Sequence, residues 1–306
     1  MSDCATLFSI SPRVVGPARR FSNALTADVN AKGVLDVDVV KGCTAGMNAR
    51  PQSGCYDACY AAKIAKFRGI DFSISVTRTV QSQAQRRAIE RAVAAAPHGF
   101  FRIGTMGDPC HAWEETVRTV EWLTVYARPV IITKHWLRAT DEQLRRLVDS
   151  RAVLNTSVSA LDTPAELAHR VREFSRFQAL GGDSIARVVS CDFERAHPEG
   201  ARMADVQDEL FTLHPTLDNP LRATRTHPLV VRGIIRLTVT ADLATERTIS
   251  LANPLTYLGH CDNCPDVCGV ALVGEDAIPG SHRGSTERPP SVNEYHHPVA
   301  PQAALW

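Results

Sequence analysis

Residues 41–63 read KGCTAGMNARPQSGCYDACYAAK, and the fold follows from what this stretch connects. Three thiols, Cys43, Cys55 and Cys59, lie within seventeen residues. The run before it, VLDVDVV (34–40), turns from alternation to fully apolar, as a buried first strand does. The segment that closes it, CYAAKIAKF (59–67), is Ala-rich and helical in character. The stretch is therefore a strand-to-helix loop whose Gly, Pro, Asn and Ser let it fold around a centre. Cys55 and Cys59 stand at the helix start, where the N-terminal partial charge favours thiolates. Three soft ligands so placed suit an iron–sulfur cluster with one iron left open, or a zinc site completed by another residue. Three unrelated small hydrophobes are the bland alternative.

Outward from the loop, strands and helices alternate. FSISV (72–76) reads as a short strand or extended link, and 79–96 as a helix from its recurrence at three and four. FFRIGTM (100–106) is a short apolar run bounded by Gly, the mark of a buried parallel strand. Helix 112–126, strand 129–134, helix 140–150 with Thr140 as N-cap and strand 152–160 follow. Next come helix 163–180, with Thr163 as cap and Pro164 at its first position, strand 185–193, helix 200–213 and strand 230–242. Strict βα succession demands right-handed crossovers and a parallel sheet. The expectation is an α/β fold, a partial (β/α)6 parallel barrel over 34–250 carrying a C-terminal cysteine-rich metal-binding extension at 251–275. A flat doubly wound sheet is the alternative. Residues 1–33 form an irregular lead-in, and 276–306 a Pro/His-rich tail.

Composition bounds the function. Apolar residues make up 44% and charged residues 22%, and the formal net charge of +1 offers no electrostatic footprint for nucleic acid. No signal peptide or membrane span is legible, which gives a cytoplasmic, reducing location as the expectation. There, nine cysteines, six of them in two groups of three, argue for metal ligation over disulfides. The second group is HCDNCPDVC, with Cys261, Cys264 and Cys268.

In a parallel barrel the reactive groups collect at the C-terminal ends of the strands. GTMGDPC places Gly107, Asp108 and Cys110 there, with the Cys110 sulfur expected on the rim of the cavity. Lys134 and His135 end the third strand, Asn155, Ser157 and Ser159 lie on the fourth, and Cys191 and Asp192 end the fifth. One open cluster facing carboxylate, hydroxyl and amine groups can hold a ligand bearing amine, carboxylate and ribose. Each residue has a plainer reading. Asp108 can cap a helix, Lys134 and His135 can form a surface turn, Cys110 can fill the core, and the serines can satisfy buried backbone.

The cysteine loop ending in Cys-Tyr-Ala, the Gly-Asp step and the strand-4 serines resemble a radical S-adenosylmethionine enzyme. RIGTMGDP, IITK and those serines are similar to the barrel of spore photoproduct lyase and its relatives. The gaps of eleven and three residues between the thiols are closer to phage-associated gene product domains of unassigned activity, which also carry a C-terminal cysteine group. The resemblance implies that Cys43, Cys55 and Cys59 hold a [4Fe–4S] cluster whose open iron chelates S-adenosylmethionine. It implies that Gly107 and Asp108 receive the methionyl amine, and that Ser157, Ser159 and Lys134 contact the rest of the cofactor. Cys110 would be a ligand or a hydrogen donor. Cys261, Cys264 and Cys268 would hold a second Fe–S cluster or zinc, with Cys191, Cys110, His260 or the substrate itself as fourth ligand. The implied partners are a small-molecule or peptide substrate and an electron donor such as flavodoxin or ferredoxin, with no membrane and nucleic acid not favoured. The rivals are a zinc-bearing binding module and a DNA-lesion lyase.

Overall fold

A buried carboxylate ends the first strand early. The computed structural model describes residues 18–49, 54–237, 240–242, 247–249 and 256–273. The expected strand at 34–40 is two pieces. Leu35–Asp36 (β2) pairs with Asp28–Val29 (β1) in the main sheet, whereas Val40–Lys41 (β3) pairs antiparallel with Val76–Thr77 (β4). Between them, Asp38 accepts the N–H groups of Gly104, Thr105 and Met106 at 3.0, 2.7 and 3.1 Å. These bonds replace the ladder there and turn the chain out of the sheet.

Burial, reinforced by Asp36, pushes the Asp38 carboxyl up to about 6 from 3.8. The folded state then holds this proton more tightly than the unfolded chain does. Its contribution to stability therefore falls as pH rises from about 4 to about 6 and is constant above that window. The stability of the protein relative to its Asp38→Asn variant should be greater at pH 4 than at pH 7, by on the order of 2 kcal/mol. Denaturant melts at the two pH values check this, and a difference of opposite sign would overturn it.

After the loop, α1 (Thr44–Ala49), α2 (Tyr60–Phe67) and α3 (Gln83–Ala94) lead to β5 (Phe100–Ile103). Then α4 (Trp113–Leu123), β6 (Arg128–Thr133), α5 (Asp141–Asp149), β7 (Val153–Val158), α6 (Pro164–Ala179), β8 (Asp183–Val188), α7 (Pro198–Leu210) and β9 (Thr216–Asp218) alternate. The sheet order is β1-β2-β5-β6-β7-β8-β9, with every neighbouring pair parallel except β1 with β2. Thr140 and Thr163 cap α5 and α6 as expected, each in a reciprocal capping box with Gln143 or Glu166. The expectation for 230–242 is corrected, because the sixth parallel strand is β9. His227 instead caps the short helix α8 (Pro228–Val231), and Gly233, at φ 69°, follows its end. Farther on, β10 (Thr240–Asp242) and β11 (Arg247–Ile249) form a separate antiparallel pair.

Side chains alternate between the two faces of the sheet. Phe101, Ile103, Ile131 and Leu154 pack under α3, α4, α5 and α6, through Ile89, Val117, Leu144 and Phe177 among others. Val158 and Val188 meet Leu210 of α7 on the same side. The opposite face, with Phe100, Val130, Val153, Ile185 and Leu217, is covered by Cys268, Val270 and Val273 of the C-terminal segment. Among the described residues, α-helices therefore cover one face only, unlike a doubly wound sheet. No helix among the described residues is long and apolar enough to cross a membrane.

Candidate metal centre

Two glycines stitch the cysteine loop to the end of β5. Gly42 N–H donates to the Met106 carbonyl at 2.9 Å, and Gly42 pairs with Gly107. A Cβ on Gly107 would lie 2.6 Å from the Val40 carbonyl oxygen and 2.7 Å from that of Gly42. The Gly of the Gly-Asp step is thus required for backbone passage. Cys43 is then held by its N–H to the Phe72 carbonyl at 2.8 Å. The thiols turn inward from there. A Cβ on Gly46 would sit 2.8 Å from Cys43 Sγ and 3.1 Å from Cys55 Sγ. One on Gly54 would sit 3.6 Å from Cys59 Sγ and 3.4 Å from Met47 Sδ. Glycines therefore keep space open beside all three sulfurs.

Electrostatics leaves these thiols protonated until something cationic arrives. Burial pushes Cys55 up to about 11 and Cys43 higher, and each is raised further by neighbouring thiols and Asp108. Lys134 and Arg170 oppose this at Cys55. Cys59 is the N-cap of α2, and the N–H groups of Ala62 and Ala61 lower its pKa, but burial outweighs them. The helix effect read from the sequence is present and is not the dominant one. Among the described residues, no three His, Cys, Asp or Glu side chains converge closely enough to hold a single metal ion.

The turn between Cys55 and Cys59 is anchored by its tyrosine. Tyr56 has φ 56°, a left-handed conformation that a bulky residue holds only when its surroundings enforce it. Its hydroxyl donates to Asp162 at 2.5 Å and accepts from Lys134 Nζ, which also stands 3.9 Å from the ring centroid. Asp162, with its side chain 1% exposed, pairs with Arg170, and Arg170 Nε donates to the Lys134 carbonyl at 2.9 Å. On the other side, His227 Nε2 donates to the Tyr56 carbonyl at 2.7 Å while its Nδ1 accepts the Leu229 N–H. A small cavity of about 10 Å³ beside Cys55 is lined by Tyr56, Lys134, Trp136 and Asp162. A cleft of about 270 Å³ lies nearby, between the end of β6 and the start of α6.

The remaining strand-end residues divide. Asp108 accepts from Thr133 Oγ1, Lys134 N–H and Cys110 N–H at 2.6, 2.8 and 3.1 Å, tying β5 to β6 and capping the short turn Pro109–Ala112. Ser159 donates to the Val189 carbonyl at 2.7 Å, which is the backbone-satisfying role. Ser157 lies on the face that the helices leave free. Cys110 is corrected, since it is 2% exposed in the apolar core with Trp113 and Ala139 and not on the rim. Cys110→Ala should cost about 1 kcal/mol of stability and leave iron content unchanged. Loss of iron would show that the thiol reaches a metal.

Cys261, Cys264 and Cys268 occupy two tight turns over that free face. The Cys268 carbonyl accepts Asn155 Nδ2 at 3.0 Å, and its sulfur lies 3.8 Å from Arg102 Nη1. Burial pushes Cys261 up to about 11, with Cys268 and Cys264 adding to the shift. Cys191 and Cys110, two of the side chains expected as a fourth ligand, both lie in apolar cores. Cys191 is fully buried among Phe193, Ala204 and Leu221, its backbone clasped by Gln207, and Cys110 is in the other core. His260, next to Cys261, is exposed.

No family model, curated protein or solved structure matches the chain. The side chains that the sequence reading missed are Asp38, Tyr56, Asp162, Arg170 and His227. Only Tyr56 had a local signal, its place between two of the thiols.

Proposed function

We propose that this chain is a radical S-adenosylmethionine enzyme on a partial (β/α)6 barrel. The observation that carries the reading is the placing of Cys43 and Cys55 beside Gly46, and of Cys59 beside Gly54, in a loop that the Gly42–Gly107 contact joins to the C-terminal end of β5. Helices on one face alone agree with a sheet that curls toward closure.

The donor set fits a [4Fe–4S] cluster. All three donors are soft, and each binds a different iron, so their sulfurs must stand farther apart than on one zinc, where every Zn–S bond is about 2.3 Å. The chemistry supplied there by the cluster and S-adenosylmethionine is one-electron reduction of the sulfonium, with C–S cleavage to methionine and a 5′-deoxyadenosyl radical that takes hydrogen from substrate. The chain contributes placement. The Gly42–Gly107 contact holds Cys43 against β5, and His227 and Asp162 hold the Cys55–Cys59 turn from both sides. Lys134 brings a positive charge toward Cys55, which offsets the thiolate charge, while Ala49 and Trp136 limit water beside it. Cys261, Cys264 and Cys268 are proposed to hold a second cluster or zinc. The substrate class is a small molecule or peptide, and the electron donor a flavodoxin or ferredoxin in the cytoplasm.

Anaerobic reconstitution with iron and sulfide should give a brown protein. On reduction it should show a [4Fe–4S]⁺ EPR signal that changes when S-adenosylmethionine is added. Stoichiometric zinc with no bound iron would sink this reading.

A further inference from the structure

Arg102, Arg128 and Arg170 each face a carboxylate, that of Asp36, Asp183 and Asp162 respectively. Arg187 does not. Among the described residues its hydrogen-bond partner is the neutral side-chain oxygen of Asn219, at 2.8 Å. Asp218 is near enough for Arg187 to lower its pKa, but it forms no ion pair with Arg187 and accepts instead from Ser190 and Thr256.

Arg187 on β8 pairs in register with Ser157 on β7, so the two side chains stand side by side, about 5 Å apart at the backbone, on the face without helices. Ser157 is 6% exposed and has no hydrogen-bond partner among the described residues. Asn155, on the same face, is fully buried, and its Oδ1 also lacks a partner. Arg102 reaches the same region from β5, against Cys268. Tyr60, next to Cys59, is 40% exposed, and its hydroxyl donates to the Thr105 carbonyl. Burial lowers the Arg187 pKa. The Cys268 thiol opposes that shift, and the Arg102 and Arg222 guanidiniums add to it. A guanidinium stays charged in proteins, so Arg187 is a cation whose hydrogen-bonded partner is neutral, set beside Arg102 and Arg222, a destabilising arrangement.

We infer that Arg187 and Ser157, with Arg102 near them on the same face of the sheet, form a binding site for an oxyanion of the substrate, a carboxylate or a phosphate. The Arg fork matches either group with two parallel N–H bonds, and the serine hydroxyl supplies a third. The site adjoins Cys268 of the second thiol group, whose sulfur lies 3.8 Å from Arg102 Nη1. Only the attribution to substrate rests on the radical reading, since the pairing of Arg187 with Ser157 stands without it.

The test uses the full chain, purified anaerobically, melted in chloride and at equal ionic strength in inorganic phosphate or in glutarate. Wild type should melt several degrees higher in one of the two anions. Arg187→Gln should bind that anion at least about tenfold more weakly, as expected for one lost charge-assisted bond. In chloride it should melt no lower than wild type, because the uncompensated charge is gone. A merely structural Arg187 predicts the reverse, a lower melting point in chloride and an unchanged anion response, and that result overturns the proposal. So does the absence of any anion effect on wild type. If Arg187→Gln does not fold, Ser157→Ala must weaken anion binding by about threefold or more for one neutral hydrogen bond, and an unchanged affinity overturns the site. An Arg187-dependent rise with S-adenosylmethionine alone assigns the oxyanion to the cofactor and overturns the substrate assignment. Iron measured on the same samples separates the two readings. An anion effect without iron sinks the cluster and leaves the anion site, and iron without an anion effect does the opposite.

Discussion

Replacing Cys43, Cys55 and Cys59 together by Ala is expected to abolish cleavage of S-adenosylmethionine to 5′-deoxyadenosine and to remove one cluster's worth of iron. The variant should still fold. Its loop is pinned by the Gly42–Gly107 contact, by the Cys43 N–H on Phe72 and by Tyr56, none of which uses a thiol. Replacing Cys261, Cys264 and Cys268 is expected to remove a second share of metal while leaving some uncoupled cleavage. That variant should lose more stability, about 2 kcal/mol or more, because Cys268 and its neighbours cover one face of the sheet. Metal analysis and product chromatography on both variants decide the matter. 5′-Deoxyadenosine from the first variant would overturn the cluster assignment. Unchanged metal in the second would show that its thiols serve something else.

The second large effect belongs to a residue without a thiol. Asp162→Asn removes the one negative charge set between Arg170, Lys134 and the Tyr56 hydroxyl. Breaking a buried pair from one side leaves the other charge uncompensated, so stability should fall by about 3–5 kcal/mol. The Tyr56 hydroxyl then donates to a neutral amide oxygen in place of a carboxylate, which weakens one of the contacts that hold its turn at φ 56°. Iron loading should therefore fall as well, even at temperatures where the variant is folded. Tyr56→Phe, which keeps the ring and both cations, should cost about 1–2 kcal/mol and retain more iron. Full iron in folded Asp162→Asn would show that the buried network supports the fold alone and does not shape the loop.

Much of the framework was legible because its signals are local. The capping boxes at Thr140 and Thr163 lie within three residues of their partners, so spacing alone reveals them. The strands β5 and β6 are short, mainly apolar runs between helices, and burial on both faces gives them that composition. The thiol groups were visible as spacing too. Other parts depended on partners far along the chain. Thr216–Asp218 is three residues with a single apolar side chain, and only its pairing with β8 makes it a strand. Cys110 follows a polar Gly-Asp step, but the turn Pro109–Ala112 rotates it into the core beneath α4.

By itself, then, the sequence determined a parallel α/β order, the helix caps and two cysteine groups, each expressed within a few residues. The tertiary structure decided the rest. It put all the long helices on one face, broke the first strand at Asp38, and brought Asp162, Arg170 and His227 to Tyr56 from more than a hundred residues away. It also left Arg187 beside Ser157 without an acid. Hydrogen bonds and ion pairs of that range leave no periodicity in the chain, because they depend on which strands become neighbours and which face each side chain takes.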